Sequence, residues 1–530
     1  MTAVRAALTP ARQRGDTTQP AAATPNRPAA QAPFAPRVSQ GTAAFLFALT
    51  ITMSTTAQET ADDKQTAFSK VERKNKAPVN QDVLRVTLPK PFEGDVSNGL
   101  HVMILEDHRA PLVQATLTIY GAGELHVPAA GTGVAHLAAQ MLLKGTKTKT
   151  AQQLAEEIER IGATIHTGAN YGGDSTTISV TALADHFEDA LKLAGDMLIN
   201  PAFPEEELAK LKRRELVALE QAKTNPQFLL AGKFSRVLYG DHPAAIESAT
   251  AESIQAVTRE HLVKWHRDRY TPQASVMTVA GDVDTKHIFG RISLLRFAWK
   301  RAPIQPIVAD PPKAAETSSV HLVHRAGSVQ TVVRVGNLAL KRSDPDYVAL
   351  SLLNRILGGD ASARLFLKLR EEKGYSYGIY SRLASEPFAA PWSAGGSVKG
   401  DLTAEAIDDL LAEIRKVAEE KIPAEEIEET KRAAIARFAL SLENPAIIMS
   451  YHLERRRHGF PPDYWDHYVE QLAAVTADDL QRVGRKYLDA SKLQIVAVGD
   501  ASKVKPMLAK FGDVQVTDPD ARVEALAGSK

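Results

Sequence analysis

His136 and Gln140 stand four residues apart in Gly133-Val-Ala-His136-Leu-Ala-Ala139-Gln140-Met-Leu-Leu-Lys-Gly145, a stretch that reads as a short helix ended by glycine. On a helix, positions 136 and 140 face the same way. Two histidines at that spacing can share one zinc ion, and a glutamate just before the second can act as general base toward a metal-bound water. That is the logic of a His-x-x-Glu-His helix. In this chain Ala139 stands in place of the base and Gln140 in place of the second imidazole. A neutral amide is a poor exchange for imidazole on zinc. Taken alone, His136 is a packed or surface histidine on a partly apolar helix.

Other chemistries find little footing. The chain has 0 cysteines, which removes disulfides, thiolate zinc sites and a cysteine nucleophile. It also lacks a Gly-x-Ser-x-Gly elbow and a phosphate-binding Gly-Lys loop. His452 and His458 are six apart, off a common helical face, and His321 and His324 fall on opposite sides of strand-like sequence, so all four read as structural or surface residues. A formal net charge of +1 gives no basic field for nucleic acid or an anionic membrane. The five arginines at 5, 12, 14, 27 and 37 against Asp16 leave +4 in residues 1–57, so the remainder carries +1 minus +4, or −3.

The elements that must position any site occur twice. Phe203-Pro-Glu-Glu-Glu-Leu-Ala-Lys-Leu-Lys-Arg213 leads to Asn225-Pro226, and Ile422-Pro-Ala-Glu-Glu-Ile-Glu-Glu-Thr-Lys-Arg432 leads to Asn444-Pro445, both 219 positions later. Ser275-Val-Met-Thr-Val-Ala-Gly-Asp282 is answered by Leu493-Gln-Ile-Val-Ala-Val-Gly-Asp500. Two homologous units of about 200 residues follow, joined through the Pro-rich segment that begins at Arg301. Each mixes periods of two and 3.6, which predicts an α/β (α+β) layer fold. Strands are expected at 100–105 and 113–120 and in a hairpin turning at Gly172-Gly-Asp174 into 176–181. Apolar stripes at Ile407, Leu410, Leu411, Ile414 and Val417, and at Phe187, Ala190, Leu191, Ala194 and Leu198, predict amphipathic helices. Near the N-terminus, the run Ala43–Ile51 is too short to span a bilayer and, followed by small residues before Gln58, resembles a signal-peptide core and cleavage site.

The order of these features resembles the M16 (insulinase, pitrilysin and mitochondrial processing peptidase) family. The resemblance rests on the strand Asn98-Gly-Leu-His-Val-Met-Ile-Leu-Glu-Asp107, Gly121-Ala-Gly, the 136–140 helix with Lys144-Gly-Thr, and the duplicated second unit. It implies two homologous domains, each a mainly antiparallel sheet packed with helices, together forming half of a clam-shell chamber. It also implies a third metal-site position on a later helix, for which Glu215 is the best match and Glu220 the next. His136, Ala139, Gln140 and Glu215 would then be vestigial metal-site positions that hold no metal in this chain. Ala363-Arg-Leu-Phe-Leu-Lys-Leu-Arg370-Glu-Glu-Lys-Gly374-Tyr-Ser-Tyr377 reads as a helix closed by Gly374. It resembles the second-domain signature of the family, which assigns Arg370 and Tyr377 to substrate binding and oxyanion stabilisation. Some M16 enzymes divide the two motifs between chains, so the expected partner is a zinc-bearing M16 homologue and the expected substrates are peptides. The alternative is a catalytically inert structural pseudopeptidase. The expected plan is a leader with signal peptide over 1–57, an extension over 58–87, the first domain over 88–300, a linker over 301–318, the second domain over 319–515 and a tail over 516–530. The expected location is the periplasm.

Overall fold

The structure, a computed structural model, describes residues 85–302 and 310–518. The leader with its apolar run at 43–51, most of the 58–87 extension, the linker residues 303–309 and the tail from 519 lie outside the described residues. Strands β1 (Phe92–Asp95), β2 (His101–Glu106), β3 (Leu112–Tyr120), β4 (Thr164–Ala169), β5 (Ser175–Leu183) and β6 (Ser275–Gly281) form one sheet in the order β1-β2-β6-β3-β5-β4. Strands β7 (Val320–His324), β8 (Gln330–Leu340), β9 (Tyr380–Leu383), β10 (Ala390–Lys399), β11 (Gln494–Gly499) and β12 (Val514–Thr517) form the other in the order β12-β7-β11-β8-β10-β9. The duplication therefore extends to strand order. The sixth position is filled from opposite ends of the repeat: β1 pairs antiparallel with β2, whereas β12 pairs parallel with β7. Both sheets are mixed and mainly antiparallel, with β2–β6 and β7–β11 parallel.

Each sheet buries one face under the helices of its own half. The predicted stripes at 187–198 and 407–417 belong to the helices Ala184–Ile199 and Thr403–Glu419, and all their members are buried except Leu191, which is partly so. The second face is covered by exchange. The helix Pro226–Tyr239, from the first half, packs Leu230, Phe234 and Leu238 against Val332, Leu338, Val496 and Val498 of the second sheet. The helix Pro445–His458, from the second half, packs Met449 and Leu453 against Met103, Val276 and Ala280 of the first. Both helices start on the repeated Asn-Pro pair, with the Asn225 and Asn444 side chains accepting the amides of Gln227 and Ala446 at 2.9 Å. This exchange explains why β6 and β11 are buried at every residue and read as near-continuous apolar runs.

Further contacts tie the halves together. Arg457 donates to Asp174, in the β4–β5 turn, at 3.0 Å and to Glu386, in the β9–β10 turn, at 3.2 Å. Leu88 inserts among Phe438, Ile448, Trp465 and Val469 of the second half. His452, on the exchanged helix, is buried with Nε2 at 2.8 Å from the Pro89 carbonyl. Among the described residues, no helix is long and apolar enough to cross a membrane.

Candidate functional site

The helix Val134–Met141 carries His136 and Gln140, and the helix Glu205–Lys223 brings Arg214 and Glu215 against them. Glu124 fixes the first helix at its N-terminus: its buried carboxylate accepts the amides of Gly133 at 3.1 Å and His136 at 2.8 Å. Nδ1 of His136 lies 3.0 Å from the Ala169 carbonyl of edge strand β4, so it carries a hydrogen, and Nε2 is an acceptor in the neutral ring and a second donor in the charged one. The imidazole stacks on Tyr171, with ring centroids 4.8 Å apart.

Gln140 closes the arrangement. Arg214 has only donors, and its Nη2 lies 2.7 Å from Oε1 of Gln140, which turns the amide nitrogen inward. That nitrogen donates to Oε1 of Glu215 at 3.1 Å and lies 2.6 Å from Nε2 of His136. Nε2 of His136 and Oε2 of Glu215 are themselves 3.5 Å apart. Burial pulls the His136 imidazole down, but the hydrogen bond with Glu215, the Ala169 carbonyl and the charges of Glu215 and Glu124 hold it above its ordinary value. The His136 hydrogen bond is the chief reason that Glu215 sits below the usual carboxylate range.

The residues present do not fit zinc. One imidazole and one carboxylate converge, but the third group aims an N–H donor at the space between them, and donors repel a cation. Ala139 is fully buried and supplies no base, and Glu220, the second choice for the third position, is instead paired with Lys223 at 2.8 Å. Among the described residues, no group of three His, Asp or Glu side chains could hold a metal ion. The cluster opens on a cleft of ≈ 260 Å³ bounded by β4 residues Thr167, Gly168 and Ala169.

Arg370 and Tyr377 lie elsewhere, in the second half ahead of β9, and neither lines the cleft of the His136 cluster. The expected regular helix before Gly374 is replaced by a short α-turn at Arg364–Phe366 and a π-helix over Leu367–Glu372. The wider turn arises where Lys373 N–H reaches the Lys368 carbonyl at 3.1 Å, and it ends at Gly374, whose φ of +62° suits glycine. Arg370 is thereby carried over the face of Tyr377, with Cζ 5.2 Å from the ring centroid, and its Nη1 rests on the Ser376 carbonyl at 3.4 Å. Tyr377 is 76% exposed. Among the described residues its hydroxyl has no hydrogen-bond partner.

Comparison with known proteins agrees with this architecture. Residues 101–251 match the family described as insulinase (peptidase family M16), and residues 256–434 match the peptidase M16 inactive domain. A zinc protease of Mycobacterium leprae is 30% identical over 327 residues, covering 60% of this chain and 69% of that protein. This chain belongs to the M16 peptidase family. The zinc protease YmxG of Bacillus subtilis is 26% identical over 399 residues, covering 73% of this M16 chain and 93% of its own length. Among solved structures, the peptidase M16 inactive domain of Pseudomonas fluorescens superposes with a TM-score of 0.71 at 26% identity, covering 77% of this chain and 98% of that one. A protease from Helicobacter pylori gives 0.72 at 20% identity over 78% of this chain and 100% of that one, a likeness of fold.

Three residues of the M16 site were not legible beforehand. Glu124 caps the motif helix, Tyr171 stacks on His136, and Arg214 sets the direction of the Gln140 amide. The only sequence signal was the proximity of Glu124 to Gly121-Ala-Gly and of Arg214 to Glu215.

Proposed function

We propose that this M16 chain is the non-zinc subunit of a two-chain peptidase and supplies Arg370 and Tyr377 to peptide hydrolysis at the zinc of a homologous partner. The observation that carries this reading is the presentation of Tyr377: a tyrosine with a strand-packing role would be buried, whereas this phenol is 76% exposed beneath the Arg370 guanidinium. A phenol and a guanidinium are both donors, suited to negative charge developing on a scissile carbonyl oxygen. The amide that fills the metal position of this chain leaves the second pair as its chemical contribution. Substrates are peptides or short unfolded segments, and the apolar run ahead of Gln58 supports export to the periplasm.

The test is co-purification with the zinc-bearing homologue and measurement of kcat/KM for Arg370→Ala and Tyr377→Phe. Each is expected to lose about 100-fold, the usual cost of removing one oxyanion donor. Unchanged kcat/KM in both variants would reject the reading in favour of a scaffolding subunit.

A further inference from the structure

The exchanged helix Pro226–Tyr239 covers only part of the second sheet. Over β8, β10 and β9 a cleft of ≈ 730 Å³ remains open, with Tyr377 on its lining. Register places Arg334 of β8 opposite Gly395 of β10, which is opposite Tyr380 of β9. Two residues along β10, Ser393 is opposite Arg382 of β9. Residues two apart on a strand share a face, so both arginines project from the same wall, on strands about 10 Å apart. Between them lies bare backbone: a Cβ on Gly395 would stand 2.1 Å from the Val333 carbonyl oxygen.

Among the described residues, neither guanidinium has an ion pair or a hydrogen bond. The contact of Arg334 is the Phe234 ring, 5.4 Å from Cζ. Burial lowers the pKa of Arg334, Glu247 opposes that shift through space and the Arg382 charge adds to it. Glu247 takes its own hydrogen bond from Ser235 rather than pairing with Arg334. A half-buried positive charge beside a like charge is a destabilised arrangement that an incoming carboxylate would relieve. Guanidinium also matches carboxylate geometry through two parallel N–H donors.

We propose that this cleft is a carboxylate-binding subsite in which Arg334 and Arg382 recognise an acidic side chain or the C-terminus of the substrate peptide. The proposal rests on the reading of Arg370 and Tyr377 as substrate-facing, since the cleft adjoins Tyr377.

Its test is direct binding to the full chain without a partner. Fluorescence anisotropy is read for four rhodamine-labelled decapeptides carrying Glu or Gln at one central position, each with a free or an amidated C-terminus. The carboxylate-bearing member of a pair is expected to bind about fivefold more tightly at low salt. Whether the gain follows Glu or the free C-terminus identifies the source. Arg382 is exposed, so Arg382→Gln leaves the core intact and is expected to bring the ratio close to one. Arg382→Glu is expected to reverse it toward a lysine-bearing peptide. Equal affinity for all four peptides, or a preference unchanged in both Arg334→Gln and Arg382→Gln, would overturn the proposal. If the carboxylate preference holds while Arg370→Ala and Tyr377→Phe leave hydrolysis unchanged, only the catalytic reading fails.

Discussion

The side-chain nitrogen of Gln140 lies 2.6 Å from Nε2 of His136 and donates to Oε1 of Glu215 at 3.1 Å. A hydrogen-bonded cross-link thus joins the helices Val134–Met141 and Glu205–Lys223. The Glu124 cap and the Ala169 carbonyl fix the helix end and the imidazole around it.

One substitution should therefore return a metal site. Gln140→His would restore two imidazoles four residues apart on one helix face with Glu215 opposite. Elemental analysis after dialysis is expected to find about one zinc per chain in the variant and none in the parent. Because Ala139 remains, the variant is expected to show no peptidase activity of its own.

The His136–Glu215 pair makes a prediction in pH. His136 is raised above 6.5, so its contribution is fully present below that value and is lost as pH rises through the folded pKa. Glu215 is lowered below 4.5, so its contribution is present above that value and is lost as pH falls through its folded pKa. The stabilising window lies between 4.5 and 6.5. Thermal melts of Glu215→Gln should show a Tm deficit of about 2 °C within this window, shrinking above it.

The helix exchange predicts coupled unfolding of the two halves. Calorimetry of the parent should give one transition. Phe234 is buried between the halves, and Phe234→Ala is expected to cost about 3–5 kcal/mol and to split that transition in two. A single transition at unchanged Tm would remove the exchange as the source of coupling.

Arg457 offers a separate test of the junction. Arg457→Leu would leave Asp174 and Glu386 facing each other without a cation. Burial already raises Glu386, and loss of the guanidinium would raise it further. Glu386 is 39% exposed, so the expected loss is discounted to about 1–2 kcal/mol at neutral pH. A carboxyl group with a raised folded pKa destabilises above its unfolded value, so the deficit should shrink as pH falls toward about 5. Denaturant melts at the two pH values check the sign.

The sequence by itself determined the doubled organisation with its repeated Asn-Pro pairs, the strand and helix periods and the loss of chemistry at Ala139 and Gln140. These follow from residue type and local spacing, which fix backbone preference and the face that must be buried. Tertiary structure alone decided what each face is buried against. The repeated Asn225-Pro226 and Asn444-Pro445 pairs marked equivalent points of the two units but could not show that the helix after each covers the sheet of the other half. Nor could periodicity bring Glu215 to Gln140 across 75 positions. The π-turn that sets Arg370 over Tyr377 was equally hidden, because a π-helix and an α-helix draw on the same residues and differ only in which carbonyl each N–H reaches. The two unpaired arginines of the open cleft became visible only through strand register, which is fixed by pairing between strands distant in sequence.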